Sequence, residues 1–208
     1  MRSPVGLVVL VFAACSSQPR TPVDEEIAVV STPAVPQRTV LGDAYAAYAA
    51  DPGSAVKQRA YFDAFPNDYA ALRKIFGFEE IGEDSVVFGE CYEQGNDMIG
   101  AFFDLDSLPV KDIATKAIGI ACKGMWQADG VGYFQLFLMK DLEKSPSAYM
   151  AVLNSLPRPD QAGFWKFYTD GPEAFPQEDK SRLRGLLVNE QGQLAALDSV
   201  LAIPRVGH

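Results

Sequence analysis

Apolar and polar positions fall into three regimes along the chain. Residues 5–12, Val-Gly-Leu-Val-Val-Leu-Val-Phe, form an unbroken apolar run. From Ser16 to Thr39, Pro19, Pro22, Pro33 and Pro36 are spread among Ser, Thr and Gln. Proline at that density blocks helix and favours an extended chain, with Ile27-Ala28-Val29-Val30 as a weak strand alternative. From Val40 onward, apolar residues recur at helical spacing between Pro, Gly and short polar caps.

Those caps divide the third regime. Ser54 is placed to cap a helix that Pro66 stops after Phe65. Asn67 then starts a helix in which Tyr69, Leu72 and Phe76 share a face and Gly77 closes the end. Pro109 opens a helix carrying Ile113, Ala117, Ile120 and Ala121, ending at Gly124. Ser145-Pro146 opens another with Tyr149, Val152, Leu153 and Leu156. Asp160 caps a helix through Phe164, Trp165 and Tyr168 that stops at Gly171-Pro172. Pro176 to Ala202 is the last helical stretch, broken near Gly192. A hairpin joining Gly185–Val188 to Leu194–Leu197 is the alternative there. Segments of roughly 9–15 residues with short joins predict a mainly α, compact multi-helix domain of short antiparallel-packed helices. The expected organisation is a signal peptide over 1–14, Cys15 and a Pro-rich tether over 15–39, the helical domain over 40–203 and a disordered end over 204–208.

The first regime changes the compartment. Arg2 supplies one positive charge, the apolar run follows, and Phe12-Ala13-Ala14-Cys15 ends in small residues and a cysteine. The run is short of the ~20 residues a membrane-spanning helix needs, and the layout is that of a secretory signal. With its cysteine it resembles the lipobox of bacterial lipoproteins, with Phe12 in place of the usual Leu. The resemblance implies diacylglycerol on the Cys15 thiol, cleavage before it, and acylation of the new amino end. Several acyl chains hold a membrane firmly, at about 0.8 kcal/mol per buried CH₂. Ser16 and Ser17, where an Asp would imply inner-membrane retention, point to the outer membrane facing the periplasm. The tether could then reach roughly 75 Å at about 3.1 Å per residue.

Charge limits the partners. Of 208 residues, 27 are Asp or Glu and 18 are Lys or Arg, a net charge of -9. Phosphates of nucleic acid would be repelled, whereas a basic protein partner would be steered in. No Lys or Arg occurs between Lys74 and Lys111, an interval holding Glu79, Glu80, Glu83, Asp84, Glu90, Glu93, Asp97, Asp104 and Asp106. These acids read either as a solvated face or as a negative docking surface. Among the dense aromatics, Trp126 and Tyr133 border Gly-rich turns and, with Asp129, are candidate contacts. Beyond Cys15, Cys91 and Cys122 either pair, closing a loop worth roughly 3–4 kcal/mol, or remain separate buried thiols.

Catalytic chemistry finds little material. The one histidine, His208, is the last residue, so histidine triads and histidine metal sites are not expected, nor is a cofactor. Ser54-Ala-Val-Lys57 spells the S-x-x-K of penicillin-binding enzymes without its companion motifs, and a helix cap explains Ser54 better. Asp104-Leu-Asp106 lacks the glycine and later glutamate of a calcium loop. Gly130-Val-Gly132 lacks the third glycine of a dinucleotide site. Paired carboxylates of a cell-wall hydrolase are the remaining enzymatic option, and no two stand out.

Trp126-Gln-Ala-Asp129-Gly-Val-Gly-Tyr133-Phe134-Gln135 and Phe164-Trp165-Lys-Phe-Tyr168-Thr-Asp170-Gly171-Pro172, with Ala64-Phe65-Pro66, resemble a group of uncharacterised bacterial proteins. That group shares W-x-A-D-x-V-x-Y-F-Q and F-W-x-F-Y-x-D-G-P. Gly130 departs from the expected Ala, and the likeness carries no catalytic assignment. By overall layout the chain is similar to periplasmic immunity lipoproteins, which neutralise secreted toxins. The layout implies a binding protein rather than an enzyme; charge placement and the aromatic positions give Glu79, Glu80, Glu83, Asp84, Trp126, Asp129 and Tyr133 as its candidate contacts. A structural or accessory envelope lipoprotein is the other expectation.

Overall fold

Short amphipathic helices of this kind gain most of their stability by burying one face on a neighbour, and that is the architecture in a computed structural model of the chain. The structure describes residues 40–82, 85–171 and 177–203. The segment around Cys15, the tether, Glu83, Asp84 and His208 lie outside the described residues.

The element order is α1 (Val40–Ala49), α2 (Ala55–Ala64), α3 (Tyr69–Phe76), β1 (Phe78–Glu80), β2 (Val86–Phe88), a 3-10 turn (Tyr92–Gln94), α4 (Gly95–Phe103), α5 (Val110–Ala121), α6 (Gly130–Lys144), α7 (Pro146–Leu153), α8 (Arg158–Thr169), α9 (Gln177–Leu186) and α10 (Gln191–Leu201). The domain is mainly α, as the punctuation predicts, and no described helix is long and apolar enough to cross a membrane. The long α6 is the hub, packing against α3, α4, α7 and α8, while α1 lies on α2, α5 on α7 and α8 on α10. Aromatic rings fill the centre. Phe65 stacks on Phe102 at 4.1 Å, and Phe103, Phe134 and Phe167 continue the row.

Several boundaries differ from the sequence reading by a residue or more. Asp68, not Asn67, caps α3, because its carboxylate accepts the Ala71 N–H at 2.9 Å. α8 begins at Arg158 after Pro157, so Asp160 sits inside the first turn rather than before it. The final break, expected near Gly192, falls between Leu186 and Gln191, and both flanks are helical rather than the alternative hairpin. The hairpin that does form, β1 with β2, was not expected. It is antiparallel, with Phe78 opposite Phe88, Glu79 opposite Val87 and Glu80 opposite Val86.

Buried glutamines tie the helix ends together. Gln58 donates to Asp106 (2.6 Å) and Pro52 O (2.8 Å) and accepts from Ser107 N (2.9 Å) and Oγ (2.7 Å). Gln161 donates to Leu156 O at 2.8 Å. Gln193 accepts from the Trp165 indole N–H at 3.0 Å and donates to Asn154 at 2.8 Å. Each satisfies groups that burial would otherwise leave unmet.

Candidate functional site

The two sequence motifs around 126–135 and 164–171 lock together, and most of their residues are thereby accounted for. Phe134, Phe164, Trp165 and Phe167 are fully buried. The Gln135 amide nitrogen donates to Phe167 O and Asp170 O, both at 2.6 Å, covering carbonyls at the end of α8. The Asp170 carboxylate in turn accepts the Trp126 backbone N–H at 3.0 Å. The first contact candidate, Trp126, is accordingly half-buried and anchored to this joint. Tyr133 stands on the first turn of α6, directly after Gly130 and Gly132, and is exposed.

Asp129 immediately precedes α6 with φ 59° and ψ −117°, the one non-glycine residue of positive φ among those described. A β-carbon costs energy there. The tight junction that follows explains the conformation, since a side chain at Gly130 would meet Phe76 O at 2.2 Å. The Asp129 carboxylate accepts from the Tyr92 hydroxyl at 2.6 Å. That bond pushes the Tyr92 hydroxyl up to about 12, because the neutral phenol is the form that donates. The Tyr92 ring also lies 4.5 Å from that of Phe88 on β2. On the other strand, the Gln127 amide donates to Phe78 O at 3.1 Å. Asp129, Tyr92 and the hairpin therefore form one locality, with Tyr133 beside Gly95 at the start of α4.

The hairpin is the exposed part of this locality. Val86, Val87 and Phe88 are 45 %, 52 % and 55 % exposed, and Ile81 is 58 % exposed. A groove of about 500 Å³ runs between the hairpin and α3, with Ala70, Arg73, Phe78 and Val87 on its walls. Glu79 faces Arg73 at 3.2 Å, so its charge is partly compensated, whereas Glu80 is exposed and Glu90, also exposed, shares the groove with Lys74.

The described acids are spread along α4. Glu79, Glu80, Glu90 and Glu93 lie on the hairpin and before the start of α4, and Asp97 is in its first turn. Asp104 and Asp106 follow its far end, about 10 Å beyond Asp97 at ~1.5 Å per residue. Asp106 is also engaged by Gln58. Glu83 and Asp84, in the connection between the strands, lie outside the described residues.

The other candidates resolve separately. The Ser54 side chain caps α2 toward Lys57 N, while the Lys57 ammonium reaches Asp51 at 3.0 Å, so the S-x-x-K lysine is directed to an acid. Cys91 and Cys122 are not joined in a disulfide. Cys91 N–H bonds to Ile75 O beside α3, whereas Cys122 ends α5 and its carbonyl abuts Gly163 of α8. Burial, with Asp160 adding to it, pushes the Cys122 thiol up to about 11. Among the described residues, no group of three or more His, Cys, Asp or Glu is arranged to hold a metal ion. Sequence reasoning missed Ile81, Val86, Val87 and Phe88, whose signal was the apolar Val86-Val87-Phe88 stopped by Gly89, with Ile81 before Gly82 on the other side of the turn. No protein-family model, curated protein or solved structure matches the chain.

Proposed function

We propose that the chain is a lipid-anchored binding protein of the bacterial envelope that captures a basic protein, and that the partner class is a secreted toxin it neutralises. One observation carries this reading: a hairpin that sets Ile81, Val86, Val87 and Phe88 in solvent beside Glu79, Glu80 and Glu90. Exposed apolar residues in a contiguous patch with a charged rim have the make-up of an interface. The surrounding acids give it a sign, since they attract a cationic partner and speed its association. The anchor at Cys15 and the outer-membrane, periplasm-facing location belong to the same proposal, as does the absence of catalysis.

The test directs a candidate basic toxin, encoded beside this gene, to the periplasm of a sensitive cell. Co-expression of the lipoprotein restores growth. Reversal of Glu79, Glu80, Glu83 and Asp84 to lysine slows association and weakens protection; the Glu79 and Glu80 changes alone leave the fold intact, because both are exposed and exposed charges contribute little to stability. Tyr133→Ala mainly raises the dissociation rate; Trp126 is too well anchored to serve as a clean contact probe. Cys15→Ser protein loses acyl labelling and is released from membranes. Unchanged protection by the charge-reversed protein refutes the proposed surface. Acyl-free, soluble wild-type protein refutes the anchor.

A further inference from the structure

The hairpin's two edges differ: on β1 one outward carbonyl is met by a side chain, and on β2 none of the outward groups is. Ile81 N–H bonds to Ser85 O at 2.7 Å and Gly89 N–H to Gly77 O at 2.8 Å. Hydrogen-bonded pairs alternate along an antiparallel ladder, so with this register Glu79 and Val87 form the pair between them. Phe78, Glu80, Val86 and Phe88 therefore turn their backbone groups away from the hairpin. On β1, Phe78 O is met by Gln127. On β2, the outward groups of Val86 and Phe88 have no hydrogen-bond partner among the described residues. An exposed apolar edge of this kind is a template for another strand.

Resting on the binding reading above, we infer that β2 receives an extended segment of the partner by strand addition, and that this segment alternates apolar residues with Lys or Arg. An added strand places successive side chains on opposite faces. One set lies beside Val87 over the groove, where Phe78 and Val87 offer apolar surface. The other passes the Phe88 ring, which lies against Tyr92 beside exposed Glu93, where cations are favoured. A second copy of this chain would instead bring like charges together at the same edge.

The experiment uses the full-length protein in detergent micelles and a short peptide of alternating Lys and Val. A Lys-Gly peptide of equal charge is the control. Amide hydrogen exchange reads the mode directly. Val86 and Phe88 amides become protected on binding the Lys-Val peptide, while Val87 and Ile81 amides are protected with or without it. The Lys-Gly peptide binds about tenfold or more weakly, the equivalent of one to two lost contacts. Val86→Lys, which leaves the hairpin's own bonds in place, weakens the Lys-Val peptide by a similar factor.

Equal, salt-sensitive binding of both peptides without protection at Val86 and Phe88 overturns strand addition and leaves the acidic docking surface standing. No binding of either peptide, together with unchanged protection against the toxin after charge reversal, overturns both. Concentration-dependent protection of Val86 and Phe88 without peptide, lost in Val86→Lys, assigns the edge to self-association and also overturns the inference.

Discussion

Gln135 is the residue on which the joint between α6 and α8 depends. It is 6 % exposed, and its two amide hydrogens serve Phe167 O and Asp170 O at 2.6 Å each. Gln135→Leu keeps much of the volume and removes both donors. A buried carbonyl left unmet costs roughly 1–3 kcal/mol; with Asp170 only partly buried, the expected loss is about 2–5 kcal/mol. That is a large share of the ~5–15 kcal/mol by which a domain is stable. It corresponds to a fall in Tm of roughly 4–20 °C for a domain of this size. Gln135→Glu sharpens the test, because only a protonated acid can donate to a carbonyl. Its folded-state pKa is expected above the usual value of about 4.3. The unfolded chain then releases its proton first, so stability falls as pH rises above that value until the folded site ionises. Urea unfolding followed by Trp165 fluorescence at pH 4 and pH 7 measures both effects. A Gln135→Leu protein within about 0.5 kcal/mol of wild type, or a Glu variant with no pH dependence beyond that of wild type, refutes the account of this joint.

Gly163→Ala forces a β-carbon to within 2.1 Å of Cys122 O and is expected to cost about 1–3 kcal/mol or more by thermal melting; Gly185→Ala on α9, with nothing within 4 Å, is expected to gain up to about 1 kcal/mol. Burial under the end of α2, where Lys116 donates to Phe62 O and Phe65 O, lowers its pKa from 10.5 to about 8. The unfolded chain holds the extra proton between those values, so stability is expected to rise with pH from about 8 to 9.5 relative to Lys116→Met, a comparison in which the buried tyrosines are common to both proteins. A flat difference between the two proteins across that window refutes the assignment. Both Cys91 and Cys122 are expected to alkylate in denatured, unreduced protein, with Cys122 slow in the native state; alkylation only after reduction contradicts the separate thiols.

Helix boundaries were legible where one residue both stops and starts an element. Pro66, Gly77, Pro109 and Pro146 each act through the backbone alone, and their helices end or begin where expected. α4 and α6 were not read, although both are strongly apolar. α4 opens directly from a 3-10 turn without a side-chain cap, and α6 opens on Asp129 in a positive-φ conformation, again without one. Their starts are fixed by tertiary contacts, Gly130 on Phe76 and Tyr92 on Asp129, which no local window contains. The same holds for the two motifs. Their spacing was recognisable, but that Gln135 and Asp170 face one another's segments follows only from packing α6 beside α8.

The proposed binding surface shows why charge was a partial guide. Absence of Lys and Arg between 74 and 111 marked the stretch that carries the exposed hairpin. Charge could not say which acids cooperate, since one α4 helix length is enough to separate Asp104 from Glu90. It also could not see compensation across elements, as between Arg73 on α3 and Glu79 on β1. The more informative residues were the apolar ones. In composition, Val86-Val87-Phe88 is indistinguishable from a core strand, and what places it in solvent is a count of layers. β2 pairs with β1 alone, and the described helices leave much of its side-chain surface open. A short apolar strand left exposed carries a cost in solubility that a charged substitution would remove. The proposed partner would cover that strand, and the acids around it are what make a positively charged partner the one proposed.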